Sequence, residues 1–188
     1  MKRREFITLL GGTTTWSLAA RAQPAKRQTI GFLGTASPST WGPWTAVFIQ
    51  RLRELGWIEG RNVTIEVRWA EGRTERFAEI AAEFVRLKVD VIFTTGAAVA
   101  AAKKVTSVIP IVFALGRDPV GSDYVTNLAR PDSNVTGLSS QSTDLVGKRL
   151  ELLREVVPGL RRLAVMANVG YSAGVLEMGQ VQAATRAT

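Results

Sequence analysis

The stretch from Val89 to Gly121, VDVIFTTGAAVAAAKKVTSVIPIVFALGRDPVG, constrains the fold more than any other part of the chain. It reads as strand, turn, helix, strand, turn. Val91-Ile92-Phe93 and Ile111-Val112-Phe113 are short, continuous apolar runs of β-favouring residues. Two such runs with a helical segment between them point to parallel strands buried on both faces. Each run ends in a polar, flexible turn, Thr94-Thr95-Gly96 and Gly116-Arg117-Asp118-Pro119. Ligands of open α/β sheets bind in the crevice beyond the carboxyl ends of the strands, so both turns lie where a ligand would be held.

The same alternation runs along the chain. Thr29 to Gly34 is a strand that enters a turn at Thr35-Ala36-Ser37-Pro38. Trp44 to Leu55 is helical, with Phe48, Leu52 and Leu55 on one face and Gly56 as its stop. In Asn62 to Trp69, Val63, Ile65 and Val67 alternate with polar residues, as in a strand near an edge. Thr74 is placed to cap a helix whose apolar stripe is Phe77, Ile80, Ala81, Phe84 and Leu87. Ala97 to Val105 is a third helix, ending in Lys103 and Lys104, which suit its negative dipole end. Beyond Gly121 the pattern predicts a short helix over Asp123 to Leu128, a loop from Arg130 to Asn134 and a fifth strand from Val135 to Ser139. A helix over Thr143 to Val157, a sixth strand over Leu163 to Ala167 and a helix over Ser172 to Arg186 follow. Repeated strand–helix units argue for an α/β fold with a doubly wound parallel sheet. Residues 23–142 are expected to form one lobe, and residues 143–188 a crossover helix and the start of an incomplete second lobe.

The formal charge of +8 invites a nucleic-acid reading, but Lys2, Arg3, Arg4 and Arg21 against Glu5 place +3 of it in the first 22 residues. The other basic residues are scattered among acids, with no basic stripe and no interleaved aromatics, so no nucleic-acid partner is expected. The chain has no Cys and no His. Thiol chemistry, disulfides, the usual zinc sites and a His-based triad are therefore excluded, as is the acylated Cys that would anchor a lipoprotein.

Residues 1–22 have the layout of an export signal: a charged start, a mildly apolar stretch from Phe6 to Ala20, and Ala20-Arg21-Ala22 as a small-x-small cleavage site. The apolar stretch is shorter than the roughly 20 residues a spanning helix needs. Arg3-Arg4-x-Phe6-Ile7 matches a twin-arginine address, the alternative being a general secretory signal with incidental arginines. Cleavage would leave Gln23 as the new N-terminus and a periplasmic protein without a stable membrane anchor.

TIGFLGTASP, ELGWIEGRNVTIEVRWAEG, DVIFTTG, IPIVFALGRDPVG, NLARPDSNVTGLS and KRLELLREVVP, in this order behind an export leader, resemble the ABC transporter substrate-binding proteins of the type I periplasmic-binding-protein fold. The likeness is to the branch that includes binders of aromatic amino acids. It implies two α/β lobes with a ligand cleft between them. This chain supplies all of lobe one, and EMGQVQAATRAT resembles the first helix of lobe two. With half the cleft absent, the 188-residue chain is expected to bind a solute weakly or not at all.

Seven residues are candidates for ligand contact. Ser37 follows the first strand and offers a hydroxyl, or is a turn residue before Pro38. Thr95 and Gly96 precede the third helix, where Gly96 allows close backbone approach and the free N–H groups of Ala97 and Ala98 at the helix start favour a carboxylate. Thr95 can also serve as that helix's cap. Asp118 can pair with a ligand ammonium, open its turn, or pair with Arg117. Ser139, at the end of the fifth strand, adds a hydroxyl or is a plain strand end. Asn168, after the sixth, would reach a ligand only on closure. Trp41 and Trp44 either stack on a planar ligand or pack the helix start.

The expected function is a periplasmic solute receptor that closes on a small polar, amino-acid-like solute and delivers it to an ABC permease, with no cofactor and no catalysis. One alternative is an exported flavodoxin-like enzyme or cofactor-binding module, although G-x-G-x-x-G and the P-loop are absent from the sequence. Another is a sugar-responsive repressor core, which predicts a helix-turn-helix where the leader lies.

Overall fold

The structure is a computed structural model that describes residues 27–129, 133–140 and 142–186. The expected leader, its cleavage site, and Arg130, Pro131 and Asp132 of the expected loop lie outside the described residues. In chain order the elements are β1 (Gln28–Gly34), α1 (Pro38–Glu54), β2 (Val63–Trp69), α2 (Glu75–Leu87), β3 (Val91–Thr95), α3 (Ala98–Val105), β4 (Ile111–Gly116) and β5 (Val135–Ser139). A 3-10 turn (Ser142–Leu145), α4 (Val146–Val156) and α5 (Ser172–Arg186) complete them.

The five strands form one parallel sheet in the order β2-β1-β3-β4-β5. Because strand side chains alternate, β1 and β3 feed two cores. On one face Phe32, Val63 and Ile65 pack under α1 with Phe48, Leu52 and Phe93. On the other, Leu33, Ile92, Ile111, Phe113 and Val135 pack under α2 and α3 against Phe77, Ile80, Phe84, Val99 and Ala102. The buried Thr94 hydroxyl donates to the Leu33 carbonyl at 2.9 Å and adds a side-chain tie between β3 and β1. At one edge, β2 carries Arg68, which pairs with Glu66 and with Glu83 of α2. At the other, β5 buries Val135 but exposes Thr136, Gly137, Leu138 and Ser139.

The structure differs from the sequence reading in four places. First, α1 begins at Pro38 rather than Trp44: Ser37 Oγ accepts from the Thr40 N–H at 3.3 Å, Pro38 occupies the first turn, and Pro43 is carried inside the helix. Second, the segment expected to be helical over Asp123 to Leu128 is a set of turns, because Asp123 has φ +60°, which a right-handed helix does not admit. Third, Leu163 to Ala167 forms no ladder, since no neighbouring strand among the described residues meets it, and Met166 is 99% exposed. Fourth, Thr74 holds the cap position of α2 with helical backbone and no capping bond.

Gly31 is fixed by packing. A Cβ there would sit 2.7 Å from the ring of Phe84, which is fully buried and has no room to retreat. Gly31→Ala is expected to lower stability by about 1–3 kcal/mol through overpacking, read as a fall in the urea midpoint at unchanged slope.

Candidate functional site

The carboxyl ends of β1, β3 and β4 open on one side of the sheet. The chain leaves β1 for β2 on one flank, and β1 pairs with β3 on the other. Crossovers that diverge in this way leave a crevice at the switch point. A cavity of about 430 Å³ lies there. Its floor is Phe32 and Phe93, its sides are Trp41, Trp44 and Phe48 of α1, and Thr95, Ala114 and Leu115 form the rim. Phe32, Phe48 and Phe93 hold one another with centroids 4.6–5.5 Å apart, so the floor is a rigid aromatic surface. Trp44, 71% exposed, stands at the wall, nearly two turns inside the helix that Ser37 and Pro38 start.

Of the sequence-predicted residues, Thr95 lines this cavity. It is buried, and its hydroxyl lies 3.5 Å from that of Thr35. It does not cap α3: the cap position is Ala97, with no side-chain bond. Gly96 turns the chain with φ +56°, and its carbonyl accepts from the Val99 N–H at 3.1 Å. Thr95, Gly96 and Ala97 form one short turn, of which Thr95 lines this cavity while Ala97 lines a separate one with Thr74, Phe77 and Lys104.

The remaining predicted residues are engaged elsewhere. The Ser37 hydroxyl caps α1 and lies 2.8 Å from Ser39 Oγ. Asp118, at φ +39°, closes its own turn, its Oδ1 accepting from the Gly121 N–H at 2.9 Å. Ser139 borders a small cleft with Phe113, Pro119 and Leu128. Asn168 Oδ1 accepts from the Gly170 N–H at 2.9 Å, and Asn168 lines a third cavity with Arg117, Tyr171 and Glu177. There Glu177 of α5 takes one bond from Arg117 at 3.2 Å and one from Arg149 of α4 at 3.0 Å.

Tyr124 was not among the residues singled out from the sequence, which placed it in a short helix over Asp123 to Leu128. It is fully buried, meets Phe113 edge-on, and donates from Oη to the Gly96 carbonyl at 2.9 Å. Burial, and then the neighbouring Tyr171 phenol, raise its pKa well above the ordinary tyrosine value. Among the described residues, no helix is long and apolar enough to cross a membrane.

The sequence profile described as ABC transporter substrate binding protein matches residues 45–186. A tyrosine-binding protein of Clostridioides difficile (strain R20291) is 32% identical over 122 residues, covering 64% of this chain and 35% of that protein. Among solved structures, a conserved domain protein from Vibrio cholerae superposes with TM-score 0.77 at 27% identity, covering 86% of this chain and 54% of that one. An ABC domain from Streptococcus pneumoniae in complex with L-Trp superposes with TM-score 0.74 at 22% identity, covering 86% and 55%. The chain thus spans about half the length of these solved proteins and about a third of the curated relative.

The raised pKa of Tyr124 carries a sign. Its stability contribution is fully present below about pH 10, where the unfolded phenol is also protonated, and is lost as pH rises beyond that. Urea denaturation at pH 8 and pH 11 is expected to show a larger loss for the native chain than for Tyr124→Phe.

Proposed function

The chain belongs to the ABC transporter substrate-binding protein family, and from that premise we propose that its aromatic cavity is one wall of a cleft for a small amino-acid-like solute with a planar side chain. The observation that carries this reading is the composition of the wall. Five aromatic rings and one hydroxyl line the cavity, and the lining contains no acid and no base. Such a surface gains by burying a flat apolar group and has nothing with which to transfer a proton. The names of the tyrosine-binding relative and the L-Trp complex agree with that choice of side chain.

Residues of the Thr95-Gly96-Ala97 turn take the solute carboxylate, with the first N–H groups of α3 as donors. Asp118, across the sheet edge, has one carboxylate oxygen committed to its own turn and is the acidic candidate for an ammonium group. Ser37, Ser139 and Asn168 do not line the ring cavity and are secondary contacts. Closure of a second lobe over this wall completes the grip, with ligand favouring the closed state. The protein works as an exported receptor in the periplasm, reaching it through the signal in residues 1–22. It delivers its solute to a membrane permease and carries out no reaction of its own.

Calorimetry with L-tyrosine, L-tryptophan and L-glutamate tests the reading. Both aromatic amino acids are expected to bind this chain weakly, in the millimolar range set by a single wall, with L-glutamate weaker still. Trp44→Ala is expected to cost about 1–1.5 kcal/mol of the aromatic affinity, close to tenfold, at unchanged thermal midpoint. Equal binding of L-glutamate, or indifference to Trp44→Ala, would overturn it.

A further inference from the structure

Tyr124 stands in the turn that follows β4, yet its phenol reaches the turn that follows β3. The ring is fully buried among Phe113, Ala98 and Val99, and Oη donates to the Gly96 carbonyl at 2.9 Å. One residue earlier, the Asp123 carbonyl accepts from Lys103 Nζ of α3 at 2.7 Å. The β4 turn is thus tied to both ends of α3. Gly96 is itself in the left-handed region, at φ +56°, and the same carbonyl accepts the Val99 N–H at 3.1 Å, the first bond of α3. Beside the Tyr124 phenol lies Tyr171, which precedes α5 and packs against the same core.

We propose that Tyr124 is a positioning residue: a strut that fixes the Thr95-Gly96-Ala97 turn in its ligand-ready geometry and conveys to it the placement of the segment carrying Tyr171. The argument is one of geometry. A left-handed glycine with open space at its Cβ position has no packing to hold it, so its carbonyl direction depends on what the carbonyl bonds to. Two donors converge on that oxygen. Val99 is the turn's own helix neighbour, three residues on, whereas Tyr124 reaches the oxygen from the separate turn after β4. Tyr171 supplies a second phenol at the same point from the part of the chain beyond α4, so a shift of that part changes the partners of the Tyr124 hydroxyl. The inference deepens the solute-binding reading, and only its affinity arm rests on that reading.

Amide hydrogen exchange on the solute-free 188-residue chain tests the strut independently of any solute. In Tyr124→Phe, which keeps the ring and removes the hydroxyl, exchange at Val99 is expected to accelerate about tenfold, the equivalent of about 1.4 kcal/mol. Exchange at Ile92, Thr94 and Phe113 in the sheet is expected to stay unchanged. An unaltered Val99 rate, or an equal acceleration throughout β3 and β4, would overturn the proposal, since the latter is the mark of a structural role alone. Tyr171→Phe leaves Tyr124 in place and is expected to accelerate Val99 by about two- to threefold. No effect there overturns the coupling to the second segment, and this variant decides the matter should Tyr124→Phe fail to fold. As a separate arm, Tyr124→Phe is expected to weaken L-tyrosine binding several-fold at a temperature where the native chain and the variant are both fully folded. If L-glutamate binds the native chain as tightly as L-tyrosine, the solute reading fails while the exchange results still judge the strut.

Discussion

Phe32 on Phe93 is the contact on which the rest of the structure depends. The two rings stack at 5.2 Å across the pairing of β1 with β3, the pairing that reverses the direction in which the sheet grows. Phe48 of α1 closes on Phe93 at 4.6 Å and fixes the helix above them. Such pairs contribute about 0.5–1.5 kcal/mol each beyond the area they bury. They also set the height of α1 over the sheet, and with it the crevice into which Trp41 and Trp44 project. The apolar core and the candidate site are therefore one construction: the rings that stabilise the lobe on their buried side form the cavity floor on the other.

The sheet was legible because buried parallel strands announce themselves. Val91-Ile92-Phe93 and Ile111-Val112-Phe113 have no other good use in a globular chain, and all five predicted strands of the first lobe pair in parallel. Helix starts were harder to read. Gly42-Pro43 looks like a break, and only the cap at Ser37 with Pro38 behind it explains why α1 runs straight through. The expected sixth strand shows the limit of local pattern: Leu163 to Ala167 has the composition of a strand, but a strand exists only with a partner.

The candidate site was legible in outline and illegible in detail for one reason. Sequence shows which turns end the strands, but not which way a side chain faces once the turn is made. Thr95 and Gly96 could be placed at the sheet edge from the alternation alone. That Asp118 spends an oxygen on Gly121, or that Ser37 spends its hydroxyl on Thr40, depends on backbone angles that the residue types permit without requiring. Tyr124 was hidden most completely, because Asp123 and Tyr124 read as the start of a short helix, whereas Asp123 has a left-handed backbone and the Tyr124 ring is buried.

The two margins of the sheet are finished differently, and this bears on how the molecule behaves in company. The β2 margin is studded with Arg68 and its two acidic partners, a charged fringe that discourages another chain from adding itself there. The β5 margin, Val-Thr-Gly-Leu-Ser, bears no charge and leaves Leu138 72% exposed. Self-association by strand addition is thus directional in this molecule: crowding should recruit neighbours along β5 and spare β2, and a lysine at Leu138 is the smallest change that would make the two margins alike.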